Sequence, residues 1–124
     1  MDIVSFSGDY AFLSNDYPCR VSFDYIEYSS VVHALEASKT LDRRLRMPFY
    51  KRLVPYPSQA KQMGRKLVLR LDWQNVKLII LEDLLRQKFQ IPDLKSKLLA
   101  TKDANLIEGD LGILLMKIRN EFNA

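Results

Sequence analysis

The stretch that most limits what this chain can fold into is Asp72-Trp-Gln-Asn-Val-Lys-Leu-Ile-Ile-Leu-Glu-Asp-Leu-Leu-Arg-Gln-Lys-Phe89. Its apolar residues at 73, 76, 80 and 84, widened by 81 and 85, recur at helical spacing and make a broad stripe. Such a stripe is stable in water only when other elements cover it, so the rest of the chain has to supply that cover. Asp72 suits an N-cap, because a short side-chain oxygen can accept from the free amides of the first turn. Pro92 stops the helix and fits the first turn of another, Asp93 to Ala100.

Upstream, residues 3–28 read as β-structure. Val21, Phe23 and Tyr25 alternate with polar neighbours; Ile3, Phe6 and Phe12-Leu13 are shorter apolar pieces. Gly8-Asp9, Ser14-Asn15-Asp16 and Tyr17-Pro18 punctuate them with turn chemistry. A helix from about Ser30 to about Leu41 carries the chain's one histidine, His33. Three prolines at 48, 55 and 57 make 42–57 mostly connector, and Ser58 is placed to cap a short helix, Gln59 to Met63, stopped near Gly64. Leu106-Ile107 suits a short strand, and Gly109 to Gly112 turns into a last helix from Ile113. Strands followed by helices in 124 residues predict one compact α+β domain, a small N-terminal sheet packed with several helices.

The totals narrow the function classes. The lone cysteine, Cys19, has no internal partner, which fits a reducing compartment. No basic n-region opens the chain, and no apolar run reaches the ~18 residues of a membrane span, so a cytoplasmic protein without a membrane partner is expected, in host cytoplasm if the source is viral. Residues 39–70 hold ten Lys/Arg against one acid, Asp42, a net of +9; the remainder holds nine against fourteen, a net of −5. A cationic region of that kind attracts phosphate or stands as a solvated face.

A run of short motifs carries a resemblance. Phe12-Leu-Ser-Asn15 with Tyr17-Pro18 comes first, then Tyr28-x-Ser-Val-x-His-Ala34 with Lys39, then Ala60-Lys-x-x-Gly-Arg65. Arg70-x-Asp-Trp73 with Lys77, Lys88-Phe89, Leu98-Leu-x-Thr101, Leu106-x-Glu108 and Leu111-Gly-x-Leu-Leu-Met-x-Ile-Arg119 follow. In this order and spacing, from about Phe6 to Phe122, the chain resembles the NADAR family of YbiA-like proteins. The resemblance implies a compact α+β fold with a charged pocket and an N-glycosidase activity that hydrolyses a ribose–nitrogen bond. The implied ligands are phosphorylated ribosyl compounds of the riboflavin-pathway type or ADP-ribose-like molecules, including ADP-ribosylated guanine in nucleic acid. It implies no metal and no cofactor.

Cleaving such a bond passes through a cationic sugar, so a carboxylate has to stabilise charge or activate water, and cations have to hold phosphate. The resemblance therefore marks Asn15, His33, Lys39, Lys61, Arg65 and Arg70 as ligand-binding candidates. Two departures bear on the chemistry. The family's usual glutamate before the histidine, its expected acid/base, is Val32 here. After Glu108 the family's Asp, Trp-Gly pair and glycine-rich loop are missing, and Glu108-Gly-Asp-Leu-Gly112 runs straight through. Glu36, one helical turn beyond Val32, and Glu108 are the candidate substitutes, with Asp110, at the deletion, a third. The expectation is a domain that binds a phosphorylated ribosyl or ADP-ribose-like ligand with catalysis lost or reduced. An active N-glycosidase with a relocated acid, and a basic interaction protein for nucleic acid or a protein partner, are the alternatives.

Overall fold

The long helix forms where its spacing puts it. In a computed structural model of the chain, which describes residues 1–50 and 53–124, it runs Trp73–Gln90 and is the fourth of six helices among those residues. The helices are α1 (Val31–Ala37), α2 (Arg43–Arg46), α3 (Pro57–Arg65), α4 (Trp73–Gln90), α5 (Pro92–Ala100) and α6 (Gly109–Phe122). The strands are β1 (Asp2–Ile3), β2 (Val21–Phe23), β3 (Ile26–Tyr28) and β4 (Asn105–Leu106), with short 3-10 helices at Gly8–Leu13 and Met47–Phe49. Helix α4 buries Trp73, Leu81, Leu84, Leu85, Lys88 and Phe89. α1, β2, α5 and α6 pack on it, and the core closes around Leu13, Tyr28, Phe49, Leu98, Leu115 and Ile118.

The fold is α+β, with its β-structure in two small pieces. β2 and β3 form an antiparallel hairpin, Val21 opposite Tyr28 and Phe23 opposite Ile26. Its tip, Asp24-Tyr25, has positive φ at both residues, 50° and 65°, a conformation in which side chains cost energy. Arg43 and Arg46 both pair with Asp24, at 3.1 and 2.8 Å, and the Arg46 guanidinium lies 4.7 Å from the Phe23 ring centre. β1 pairs in parallel with β4, Asp2 beside Asn105 and Ile3 beside Leu106, so the first residues are tied to a segment a hundred positions later.

Several element bounds differ from the sequence expectation, each for a tertiary or local reason. Phe12-Leu13 lies in a 3-10 helix that starts at Gly8, where φ is +57°. Helix α1 ends at Ala37, and carbonyls beyond it are bonded by other segments: Arg70 N donates to Lys39 O at 2.7 Å, and Arg46 Nε donates to Thr40 O at 2.8 Å. Helix α3 begins on Pro57 at its first position and passes through Gly64 to Arg65. Gly64 is therefore no stop: a Cβ there would lie 1.9 Å from Glu36 Oε2, so the glycine makes room for that carboxylate. Asp72 precedes α4, but its carboxylate takes Arg70 at 2.6 and 3.1 Å instead of capping the helix. Helix α6 begins at Gly109, φ +53°, so Ile107 and Glu108 alone link β4 to it. Among the described residues no helix is long and apolar enough to cross a membrane.

Candidate functional site

Two local features bring the motif residues together. Ser30 caps α1: its Oγ accepts from His33 N at 3.2 Å, which fixes where the helix begins and so aims Val32, Leu35 and Glu36 to one side. The turn Ser14-Asn15-Asp16 lies against this start, with Val32 N donating to Asn15 O at 3.2 Å. Between them opens a cavity of about 320 Å³ lined by Ser14, Asn15, Asp16, Val32, Leu35, Glu36, Lys61, Glu108 and Leu111. Asn15, Glu36, Lys61 and Glu108, far apart in sequence, thus share one hollow, with Val32 in its wall. Larger hollows of about 490 and 690 Å³ open elsewhere, but none of the candidate site residues lines them.

The electrostatics differ from the expected cationic cleft. Of the ten cations in 39–70, six are paired with carboxylates: Lys39 with Glu36, Arg43 and Arg46 with Asp24, Arg44 with Asp42, Lys61 with Asp16, and Arg70 with Asp72. Lys51 and Arg52 lie outside the described residues. Four of these five acids, at 16, 24, 36 and 72, lie outside the basic segment in sequence, so a charge count along the chain misses them. Lys61 alone among the described cations lines the cavity, 3.2 Å from Asp16. Lys39 reaches it only through Glu36. Both members of that ion pair are more than three-quarters buried, and the tight contact commits the carboxylate. Asn15 lines the hollow, and its Oδ1 is buried with no hydrogen-bond partner among the described residues. Glu108, exposed on the rim, forms no ion pair among the described residues.

Besides Lys39, three candidates stand apart from the cavity. Arg70 is held by Asp72, Arg65 is exposed and lines no part of the hollow, and His33 is a structural clamp. The His33 ring is 1% exposed. Its Nε2–H donates to Val54 O at 2.8 Å, and its Nδ1 accepts from Ser30 Oγ at 2.7 Å, so the neutral Nε2–H tautomer satisfies both ends. Burial holds its pKa below the usual 6.5, against the opposing pull of the Val54 carbonyl and Asp16. The unfolded chain then takes up a proton that the folded chain refuses, so stability is full above 6.5 and is lost as pH falls below it. Urea unfolding between pH 7 and 5.5 should show that decline in the wild-type chain and a flatter profile in His33→Gln; equal slopes would refute the assignment.

Two residues that no motif marks with a role also shape the site. Asp16, next to Asn15 in the same turn, lines the cavity and pairs with Lys61. Lys88 stands behind that turn, donating to Ser14 O at 2.6 Å. The Lys88-Phe89 motif flagged the position without assigning it a task, because only the folded chain brings residue 88 beside residue 14.

Fold and site together define a small α+β domain whose polar, carboxylate-bearing cavity sits between a serine-capped helix and an asparagine turn. No family model matches the chain. It is similar to the N-glycosidase YbiA of Escherichia coli strain K12, 33% identical over 141 residues, covering 98% of this chain and 87% of that protein. The N-glycosidases YbiA of Shigella boydii serotype 4 and Shigella sonnei match with the same identity and coverage. The NMR structure of E. coli YbiA superposes with a TM-score of 0.84 at 30% identity, covering 99% of this chain and 84% of that one. The chain belongs to the YbiA-like NADAR family. The 141 aligned positions exceed its 124 residues, so the relatives carry segments with no counterpart here.

Proposed function

We propose that this protein binds the ribosyl end of a phosphorylated ribosyl or ADP-ribose-like ligand in the Asn15–Glu36–Lys61–Glu108 cavity, with hydrolysis of the ribose–nitrogen bond lost or strongly reduced. The observation that carries the reading is the wall of that cavity. Val32 presents hydrocarbon where the family resemblance puts the acid/base, and the nearest substitute, Glu36, is engaged by Lys39. A valine neither moves a proton nor steadies an oxocarbenium-like sugar. The polar furniture suits binding: carboxylates accept from sugar hydroxyls, the unpartnered Asn15 amide adds a hydrogen bond, and Lys61 offers a cation to phosphate. A volume of about 320 Å³ lies at the small end of the ~300–1,000 Å³ typical of ligand pockets. That size suits one sugar-phosphate unit and leaves the rest of an ADP-ribose-like molecule outside.

Glu108 supports one second reading, an active N-glycosidase with a relocated acid, because it reaches the same cavity without an ion-pair partner among the described residues. The pairing of most of the basic segment weighs against a nucleic-acid-binding surface. Calorimetry with ADP-ribose, alongside incubation with an ADP-ribosylated guanine nucleotide, tests the proposal. Binding weakened about tenfold by Asn15→Ala or Lys61→Ala, roughly the 1.4 kcal/mol of a lost polar contact, is expected with no release of free ADP-ribose. Release that disappears in Glu108→Gln would establish the second reading, and absence of binding would overturn both.

A further inference from the structure

Lys88 is the most deeply placed charge among the described residues: it is 0% exposed on α4, in a core of Leu84, Leu85 and Phe89. Withdrawing an ammonium from water is costly unless a counter-charge compensates. No carboxylate lies within ion-pair distance of it among the described residues. Its contacts are the Ser14 carbonyl at 2.6 Å and the rings of Tyr17 and Phe89, with centroids at 5.7 and 5.1 Å. A methionine fills similar space without the desolvation, so packing alone does not account for the charge.

What the ammonium holds is specific. Ser14 O accepts from both Lys88 Nζ and Tyr17 N, the latter at 3.1 Å, which uses both lone pairs of that carbonyl. One residue on, Asn15 O accepts from Val32 N of α1. The turn is therefore pinned to α4 on one side and to α1 on the other. Between the pins lies the Asn15 side chain, whose buried oxygen has no protein partner and owes its direction to the backbone. We infer that Lys88 is a positioning residue of the cavity, acting through the Ser14 carbonyl to fix the turn that presents Asn15 and Asp16. The cavity's use as a ligand site rests on the function proposed above; the pinning of the turn does not.

A pH signature follows. Besides the two rings, the titratable neighbours that act on Lys88 are Asp16 and Cys19. Burial pushes its pKa down to about 8 against their opposing pull, and burial pushes the Cys19 thiol up, so Lys88 titrates first. A charged donor holds a carbonyl more strongly than a neutral amine. Loss of the proton near pH 8 should loosen the turn. Over the same interval the unfolded chain binds more protons than the folded one, so global stability rises. Local order and global stability thus move in opposite directions.

Nitrogen-15 NMR of the wild-type chain from pH 6.5 to 9.5 tests this, following the Val32 backbone amide and the Asn15 side-chain amide. Both should shift with a common midpoint near 8. In Lys88→Met both should be displaced at pH 7 and flat with pH, and ADP-ribose affinity should drop at least tenfold while the urea midpoint is not lowered. Wild-type amides that stay flat through pH 8, or a folded Lys88→Met chain with the wild-type positions of both signals, would overturn the inference. The wild-type titration decides the matter alone if the variant does not fold. Failure of the wild-type chain to bind ADP-ribose, with the amide shifts present, would refute the functional proposal and leave Lys88's positioning role standing.

Discussion

Replacing Val32 by glutamate is expected to create ribose–nitrogen hydrolysis, raising release of free ADP-ribose from an ADP-ribosylated guanine nucleotide by about 10²-fold or more, the usual worth of a placed general acid–base. At position 32 the family resemblance expects a glutamate, and the folded chain places the Val32 side chain in the cavity wall. Its side chain lines the cavity, it follows the Ser30 cap by two residues, and its amide is already held by the Asn15 carbonyl. A carboxyl there would sit in a buried position, where desolvation favours the protonated form, a useful state for a group that must deliver a proton. Val32→Gln, of equal shape and without the acid, is the control and should stay at background. A Val32→Glu chain that binds ADP-ribose normally and releases none would show that an acid at position 32 is not sufficient and would point to the segment absent after Glu108.

Gly112→Ala is expected to be the most damaging single-methyl change, lowering stability by roughly 3 kcal/mol or more, at or beyond the upper end of overpacking costs. A Cβ at residue 112 would stand 2.1 Å from Leu106 O and 2.9 Å from Leu106 C. Those are backbone atoms of β4, itself fixed to β1, so neither side can swing away. Helix α6 would have to retreat from the strand, taking Leu111 and the adjoining Glu108 out of the cavity wall. Gly64→Ala makes an instructive contrast. Its Cβ would fall 1.9 Å from Glu36 Oε2, the far end of a flexible side chain. There the carboxylate can move, at a smaller cost in stability, and Lys39 would lose its partner. Equilibrium unfolding in urea should separate the two variants clearly. Equal midpoints for Gly112→Ala and the wild-type chain would contradict the close approach of α6 to β4.

Much of this architecture is written locally. The apolar spacing of 73–89, Pro92 after it and the serines before His33 fix where α4, α5 and α1 lie, because helix period, proline geometry and capping depend on near neighbours. The ordered motifs also mark Asn15, Lys61 and Glu108 as candidates, helix spacing from Val32 adds Glu36, and the four line one cavity with Val32. Charge behaved otherwise. A net of +9 over residues 39–70 reads as a cationic region only within those bounds; Glu36 and Asp72, just outside them, pair with Lys39 and Arg70, and Asp16, 45 residues from Lys61, pairs with it in the fold. His33 shows the same division, marked by its motif yet given its task by Val54, twenty-one residues away.

By itself, then, the sequence determined the helices, the family and the valine at position 32, because these follow from residue type and short-range spacing. The tertiary structure alone decided which charges remain free, why Gly64 and Gly112 must be glycine, and that Lys88 stands behind the Asn15 turn. Lys88 meets Ser14 across 74 positions and Gly64 meets Glu36 across α1 and α3, and Coulomb and contact forces act on distance in space rather than on separation along the chain.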